Sequence, residues 1–179
     1  RIEHRADLLS DLAAQTLGRG EWELLVVDNG SAPLVSPETQ PLLRELAARI
    51  LVENHAGLTP ARLAGIRAAR GDGLVFVDDD NVLAPHYLAA VARRFAESPT
   101  LGAAGGPVGP EWETAPPDWT REFHGLLALR DQGPADKICR GGATAAWPDF
   151  APVGAGLAVR RRLAVAYAEA VARDPRRAG

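Results

Sequence analysis

Residues 73–81, GLVFVDDDN, decide the fold. Leu74 to Val77 are apolar and run directly into Asp78, Asp79 and Asp80. A short, continuous apolar run is the pattern of a strand buried on both faces, as in a parallel sheet covered by helices. Adjacent carboxylates raise one another's cost of ionisation, so something must neutralise the triplet.

Working outward, the neighbouring segments repeat one rhythm. Upstream, Thr59-Pro60 supplies an N-cap and a first-turn proline for a helix that runs to Arg70 and stops at Gly71. ILVE (50–53) reads as a second strand, and Ser36-Pro37 as the cap of a helix through about residue 48. WELLVVDNG (22–30) is a further buried strand, closed by an Asp-Asn-Gly turn, and residues 5–17 carry leucines at helical spacing. Downstream, Pro85 opens a helix to about Glu97 and residues 101–108 are strand-like. Helix and buried strand in alternation predict an α/β fold, a doubly wound, mostly parallel sheet with flanking helices. Beyond residue 109 the rhythm breaks. PEWETAPPDW (110–119) reads as a structured loop, Asp118 as the cap of a helix to about Arg130, 131–150 as irregular, and 160–173 as a last helix.

The bulk numbers fit this. The 179 residues make one domain, and 46% hydrophobic against 24% charged residues is globular composition. A net charge of −3 gives no general pull toward nucleic acid. The single cysteine, Cys139, excludes an internal disulfide and points to a reducing compartment. No apolar run is long enough to cross a bilayer. The absence of methionine, even at position 1, reads as a trimmed N-terminus.

In an open sheet of this kind, ligands bind beyond the carboxyl ends of the strands. Asp28 ends one strand and Asp78 to Asp80 another, so these carboxylates are expected on one rim. Alternation along an extended strand would turn Asp78 and Asp80 the same way, about 7 Å apart. Such a pair suits a divalent cation held by hard oxygen ligands, with substrate phosphates completing the shell. The bland alternative is a solvated strand-end turn whose Asp80 or Asn81 caps the next helix. Arg62, placed near the third residue of the Thr59 helix, adds positive charge where a helix start already favours an anion.

The series WELLVVDNGS, ENHAGLTPARLAGIRAARGDGLVFVDDDN and GAGLAVRR resembles family 2 glycosyltransferases of the GT-A, Rossmann-like nucleotide-binding fold. The matching positions are Asp28, Ala61-Arg62, Gly65, Gly71-Asp72, Asp78 to Asp80, and Gly154 to Arg161. Leu63 departs from the asparagine usual in the family. The resemblance implies a single domain over 1–179, with 1–109 binding a nucleoside-diphosphate sugar and 110–179 facing the acceptor. By match, Asp28 would bond the base, Arg62 the base or phosphate, Asp78 and Asp79 the ribose or a water, and Asp80 with Asp78 the metal, Mn²⁺ or Mg²⁺. Transfer would invert the sugar carbon, toward a saccharide or lipid-linked acceptor, in the cytoplasm or at the inner face of the membrane.

Inverting transfer needs a general base. The resemblance places it beyond Gly179, and also implies an earlier strand before residue 1, so both ends read as incomplete. Losing that first strand would leave its neighbours without a ladder partner. Within the chain, Glu111, Glu113, Asp131, Asp136, Asp149 and His124 read as surface or capping groups, and no base is assigned. Trp112, Trp119 and Trp147 are candidates for stacking on an acceptor sugar or for wedging loops onto the core. His4, His55 and His86 read as surface or capping residues. Arg160 to Arg162, Arg173, Arg176 and Arg177 read as the solvated side of a sheet-covering helix, with an anionic membrane face as the alternative. The rival from another class is a nucleotide-sugar binding module without turnover. A nucleotidyltransferase would need a glycine-rich N-terminal loop, and a phospho-acceptor regulator a strand-end lysine within 101–130, and neither is visible.

Overall fold

The computed structural model describes residues 2–31, 39–112, 114–127, 129–130, 133–141 and 148–174, with the side chains of 2–6 left out of the description. Two small sheets form its middle layer. β1 (Leu25–Asp28) runs parallel to β2 (Arg49–Val52), with Leu25 opposite Arg49 and Asp28 opposite Val52. β3 (Gly73–Phe76) belongs to the second sheet, ordered β3–β5–β4, where β5 (Leu157–Arg160) is antiparallel both to β3 and to β4 (Ala103–Ala104).

Helices cover both faces of β1 and β3, which are apolar on both faces, whereas Ile50 and Val52 of β2 are exposed. Val75 and Val77 pack with Leu8, Leu9 and Leu12 of α1 (Ile2–Ala13) and with Leu43 of α2 (Gln40–Glu45), while the alternate residues Leu74 and Phe76 pack with the other core. That second core joins Leu63 and Ile66 of α3 (Leu58–Ala68) to Ala164, Ala168 and Val171 of α5 (Arg161–Arg173). β1 repeats the division, Val26 serving the first core and Leu25 the second. This is the layering predicted from the continuous apolar runs.

The segment that follows the acidic triplet is fixed from α1. Asp11 Oδ2 accepts the Leu83 N–H at 3.0 Å, and Gln15 Oε1 accepts that of Leu88 at 3.0 Å, inside α4 (Tyr87–Glu97). Gln15 Nε2 also donates to the Ala84 carbonyl at 2.9 Å. Because Gln15 and Thr16 serve this loop, α1 ends at Ala13 and not at the predicted residue 17.

Other boundaries also move. The strand predicted over 101–108 narrows to Ala103–Ala104, and residues 118–127 wind as a 3₁₀ helix. β5 had no separate signal, and the helix after it starts at Arg161, one residue beyond the prediction. The Ser36-Pro37 cap lies outside the described residues. The cap of α3 is Gly57, at φ 132°, and not Thr59, so Arg62 sits in the second turn and the helix-start argument for its charge does not apply. Arg160, the last residue of β5, and Arg161 after it both bind backbone carbonyls. Arg160 donates to the Leu101 carbonyl at 2.8 Å and to that of Ser98 at 3.0 Å, and Arg161 to that of Ala69 at 3.1 Å. They bind carbonyls at the ends of α4 and α3, where cations are favoured. Arg160 is thus engaged by the fold and leaves the basic face considered above, while Arg161 stays exposed. No described helix is long and apolar enough to cross a membrane.

Glu23 ties the foot of β1 to its neighbours, accepting from Arg49 Nη1 at 2.8 Å and from the Arg70 N–H at 2.6 Å. Burial alone would raise its pKa, but the Arg70 N–H, the Arg49 guanidinium and the Gly71 N–H together hold it below the ordinary glutamate value. A folded-state value below the unfolded one means stability that is present above the ordinary range and lost as pH falls through the folded value. Glu23→Gln should therefore cost roughly 1 kcal/mol near neutral pH. The gap to the native chain should close in acid, as read by thermal unfolding across pH. An undiminished gap in acid would show that the carboxylate's charge is not its source.

Candidate functional site

One cleft of about 500 Å³ runs along β1 and β3, from Leu24 and Gly73 among the leucines of the first core to Asp28 and Asp78 at the strand ends. Asp28, Arg62, Asp78 and Asp79 all line it. The apolar edges of β1 and β3 form its floor, and among the described residues these strands belong to separate sheets.

Asp28 is the most buried of the candidate acids, with 4% of its surface exposed. Its Oδ1 accepts the Ser31 N–H at 2.8 Å, a turn made by the Asp-Asn-Gly-Ser sequence. Its Oδ2 is buried with no hydrogen-bond partner among the described residues. A buried acceptor in that state is costly, and within a binding cleft it marks a position where a ligand donor would fit.

Asn29 was read only as a turn residue, yet it organises the entrance to α3. Its Nδ2 donates to the carbonyls of Glu53 at 2.8 Å and His55 at 2.7 Å, while its Oδ1 accepts the Gly57 N–H at 2.7 Å. One side chain thereby links the end of β1 to the loop that aims α3 and Arg62. The nearby Glu53 carboxyl is held below its usual range by the His55 backbone and ring nitrogens.

Arg62 reaches across to β3. Its Nη2 lies 3.9 Å from Asp78 Oδ1 and its guanidinium carbon 5.7 Å from the Phe76 ring centre. Gly154 backs it from the other side, since a Cβ there would fall 2.8 Å from Arg62 Nη2 and 3.9 Å from Asp78 Oδ2. A side chain at 154 would push the end of the arginine aside.

The triplet itself turns. The Asn81 N–H donates to the Asp78 carbonyl at 3.2 Å, and Asn81 Oδ1 accepts the Asp78 N–H at 3.1 Å. β3 ends at Phe76, so strand alternation does not extend to Asp80. Asp80 occupies the exposed corner of the turn beside Asn81 Nδ2, at 3.4 Å, and is not part of the cleft lining. Among the described residues no three Asp, Glu, His or Cys side chains cluster as a metal cage. A cation such as Mn²⁺ or Mg²⁺, which takes one or two protein carboxylates and the rest of its shell from phosphates and water, does not need such a cage.

The acceptor-side candidates stay apart from the cleft lining. Trp112 lies against His124, ring centres 5.5 Å apart, and exposed Trp119 meets Phe123 edge-on at 6.1 Å. Asp136 is taken by Arg94 at 2.6 Å, and Glu111 and Asp149 are exposed. His55 contacts the Glu53 carboxylate, and His86 caps α4. Glu113, Asp131, Trp147, Arg176, Arg177 and the side chain of His4 lie outside the described residues.

Comparison with known proteins follows the same residues. The family model described as "Glycosyl transferase family 2" matches residues 6–162. The succinoglycan biosynthesis protein ExoM of Rhizobium meliloti (strain 1021) is 30% identical over 135 residues, 72% of this chain and 43% of that protein. The O-antigen biosynthesis protein RfbC of Myxococcus xanthus is 37% identical over 87 residues, 45% of this chain and 7% of that protein. Among solved structures, the mannosyltransferase PcManGT from Pyrobaculum calidifontis, in complex with GDP-Man and Mn²⁺, superposes with a TM-score of 0.51 at 23% identity, over 72% of this chain and 35% of that one. The chain spans less than half the length of each.

Proposed function

The chain belongs to glycosyl transferase family 2, and from that premise we propose that its cleft binds a nucleoside-diphosphate sugar for transfer to an acceptor hydroxyl. The observation that carries this reading is the buried, unpartnered Oδ2 of Asp28 in the same cleft as Arg62, Asp78 and Asp79.

Each residue has a task that its position supports. Asp28 Oδ2 accepts an N–H of the nucleobase, the donor it lacks among the described residues. Arg62 offers its guanidinium to the base or to phosphate oxygens, and Asp78 and Asp79 face the ribose. Asp80 and Asp78 hold Mn²⁺ or Mg²⁺, whose contribution when bound is Lewis-acid neutralisation of the leaving diphosphate. The bond from the acceptor oxygen to the sugar carbon forms opposite the breaking bond to the diphosphate, so configuration inverts. The acceptor is a saccharide or lipid-linked hydroxyl, and the work is done at the cytoplasmic side. The acceptor proton goes to a carboxylate that the described residues do not identify.

Titration calorimetry with UDP- and GDP-sugars tests the reading. The expected result is binding at least about tenfold tighter with Mn²⁺ than with chelator. Equal affinity in both, or no binding of either donor, would overturn it. Binding without release of free sugar or transfer would move the chain to a nucleotide-sugar binding module.

A further inference from the structure

We propose that Tyr87 is a positioning residue for this cleft, its hydroxyl setting how closely the Gly154–Gly156 turn presses on Arg62. The proposal rests on the donor-binding reading above and deepens it.

The chain of contacts is short. Tyr87 Oη donates to the Gly156 carbonyl, and its ring packs with the α1 core. Gly156 adopts φ 74°, and a Cβ there would lie 3.0 Å from Tyr87 Oη, so the tyrosine sits directly on the turn. The Gly156 N–H donates to the Phe76 carbonyl at 3.0 Å, fixing the same residue to the end of β3. Two residues earlier, a Cβ added to Gly154 would meet Arg62 Nη2 at the separation already given. The turn is thus held on one side by Tyr87 and β3, and on the other it forms the wall behind Arg62.

Tyr87 is itself anchored. Its N–H donates to the Ala84 carbonyl at 2.9 Å, and the adjacent Leu88 N–H is held by Gln15. Burial raises the phenol's pKa, against a lowering by the Gly106 backbone, so the hydroxyl keeps its proton and remains a donor throughout the neutral range. Nothing in the sequence marks this role, because Tyr87 lies 67 residues from Gly154 and belongs to no recognisable motif.

A tyrosine that serves only packing would alter stability and leave ligand binding alone. The two cases separate in the Tyr87→Phe and Gly154→Ala variants and their combination. Tyr87→Phe keeps the ring and removes the donor, so the turn loosens and Arg62 loses its backing. Affinity for the nucleoside-diphosphate sugar with Mn²⁺ should fall by about fivefold to tenfold. Gly154→Ala pushes directly on the guanidinium and should produce a loss of similar size. The two losses should combine to less than their product, since both act through Arg62.

The Arg62 Nε–H resonance, read by NMR without ligand, should shift in Tyr87→Phe. Unchanged affinity and an unchanged Arg62 resonance in Tyr87→Phe, with only a lowered Tm, would overturn the proposal. If the native chain binds no nucleotide sugar, the donor-binding reading falls, and the resonance alone still decides whether Tyr87 positions Arg62.

Discussion

Asp28→Asn should weaken binding of a nucleoside-diphosphate sugar by about a hundredfold while leaving thermal unfolding nearly unchanged. The reason lies in the division of labour between the two carboxylate oxygens. Oδ1 shapes the turn by accepting the Ser31 N–H, and an asparagine carbonyl in its place would do the same. Oδ2 is buried and unpartnered, so in the native chain it carries an unmet demand for a donor. A nucleobase N–H would meet it, and a hydrogen bond to a charged acceptor contributes about 1.5–3 kcal/mol. An amide NH₂ at that position sets donor against donor and loses the whole of that term. The turn survives, so calorimetry and thermal unfolding should diverge. A variant that binds as tightly as the native chain would show that Oδ2 does not face the ligand, and the observation that carries the proposed function would be lost.

The parts of this molecule that were legible in the sequence are those fixed locally. β1, β2 and β3 announced themselves as short apolar runs, and the two cores divide the residues of β1 and β3 with the expected period of two. Asp28 and Asp78 could be placed because each follows such a run directly. What was missed depends on partners far along the chain. Leu157–Arg160 merges into the apolar pattern of the helix behind it, and only its pairing with Gly73–Phe76 makes it a strand. The Thr59-Pro60 pair carried a strong capping signal, but Asn29 binds the Gly57 N–H and lets the helix begin two residues earlier. Asn81 closes the triplet into a turn, which strand periodicity had no means of showing. Asn29 and Tyr87 work through backbone carbonyls, and a carbonyl leaves no trace in residue identity. The resemblance to the glycosyltransferase family supplied the order of the motifs, and the coordinates supply the contacts between them.

The second large effect concerns the acidic turn, where two neighbouring aspartates should fail in different ways. Asp80→Ala should abolish the dependence of donor affinity on Mn²⁺, leaving the chelator value as it is. Asp78→Ala should lower affinity in both conditions. The distinction follows from position. Asp80 is on the exposed corner of the turn, apart from the cleft lining, so its contribution to a nucleotide must pass through a cation. Asp78 lines the cleft and stands 3.9 Å from Arg62, so its loss also removes the anion that helps to orient the guanidinium. Cations of this kind retain water and take few protein carboxylates, and losing one of two is then enough to release the ion at ordinary concentrations. The expected loss for Asp80→Ala with Mn²⁺ is about tenfold or more, measured by calorimetry against the chelated sample. Stability should hardly respond, because an exposed turn carboxylate has little to lose on truncation. If Asp80→Ala keeps its full response to Mn²⁺, the cation is held elsewhere, and the neutralisation of the triplet must then come from Arg62 and the turn amides alone.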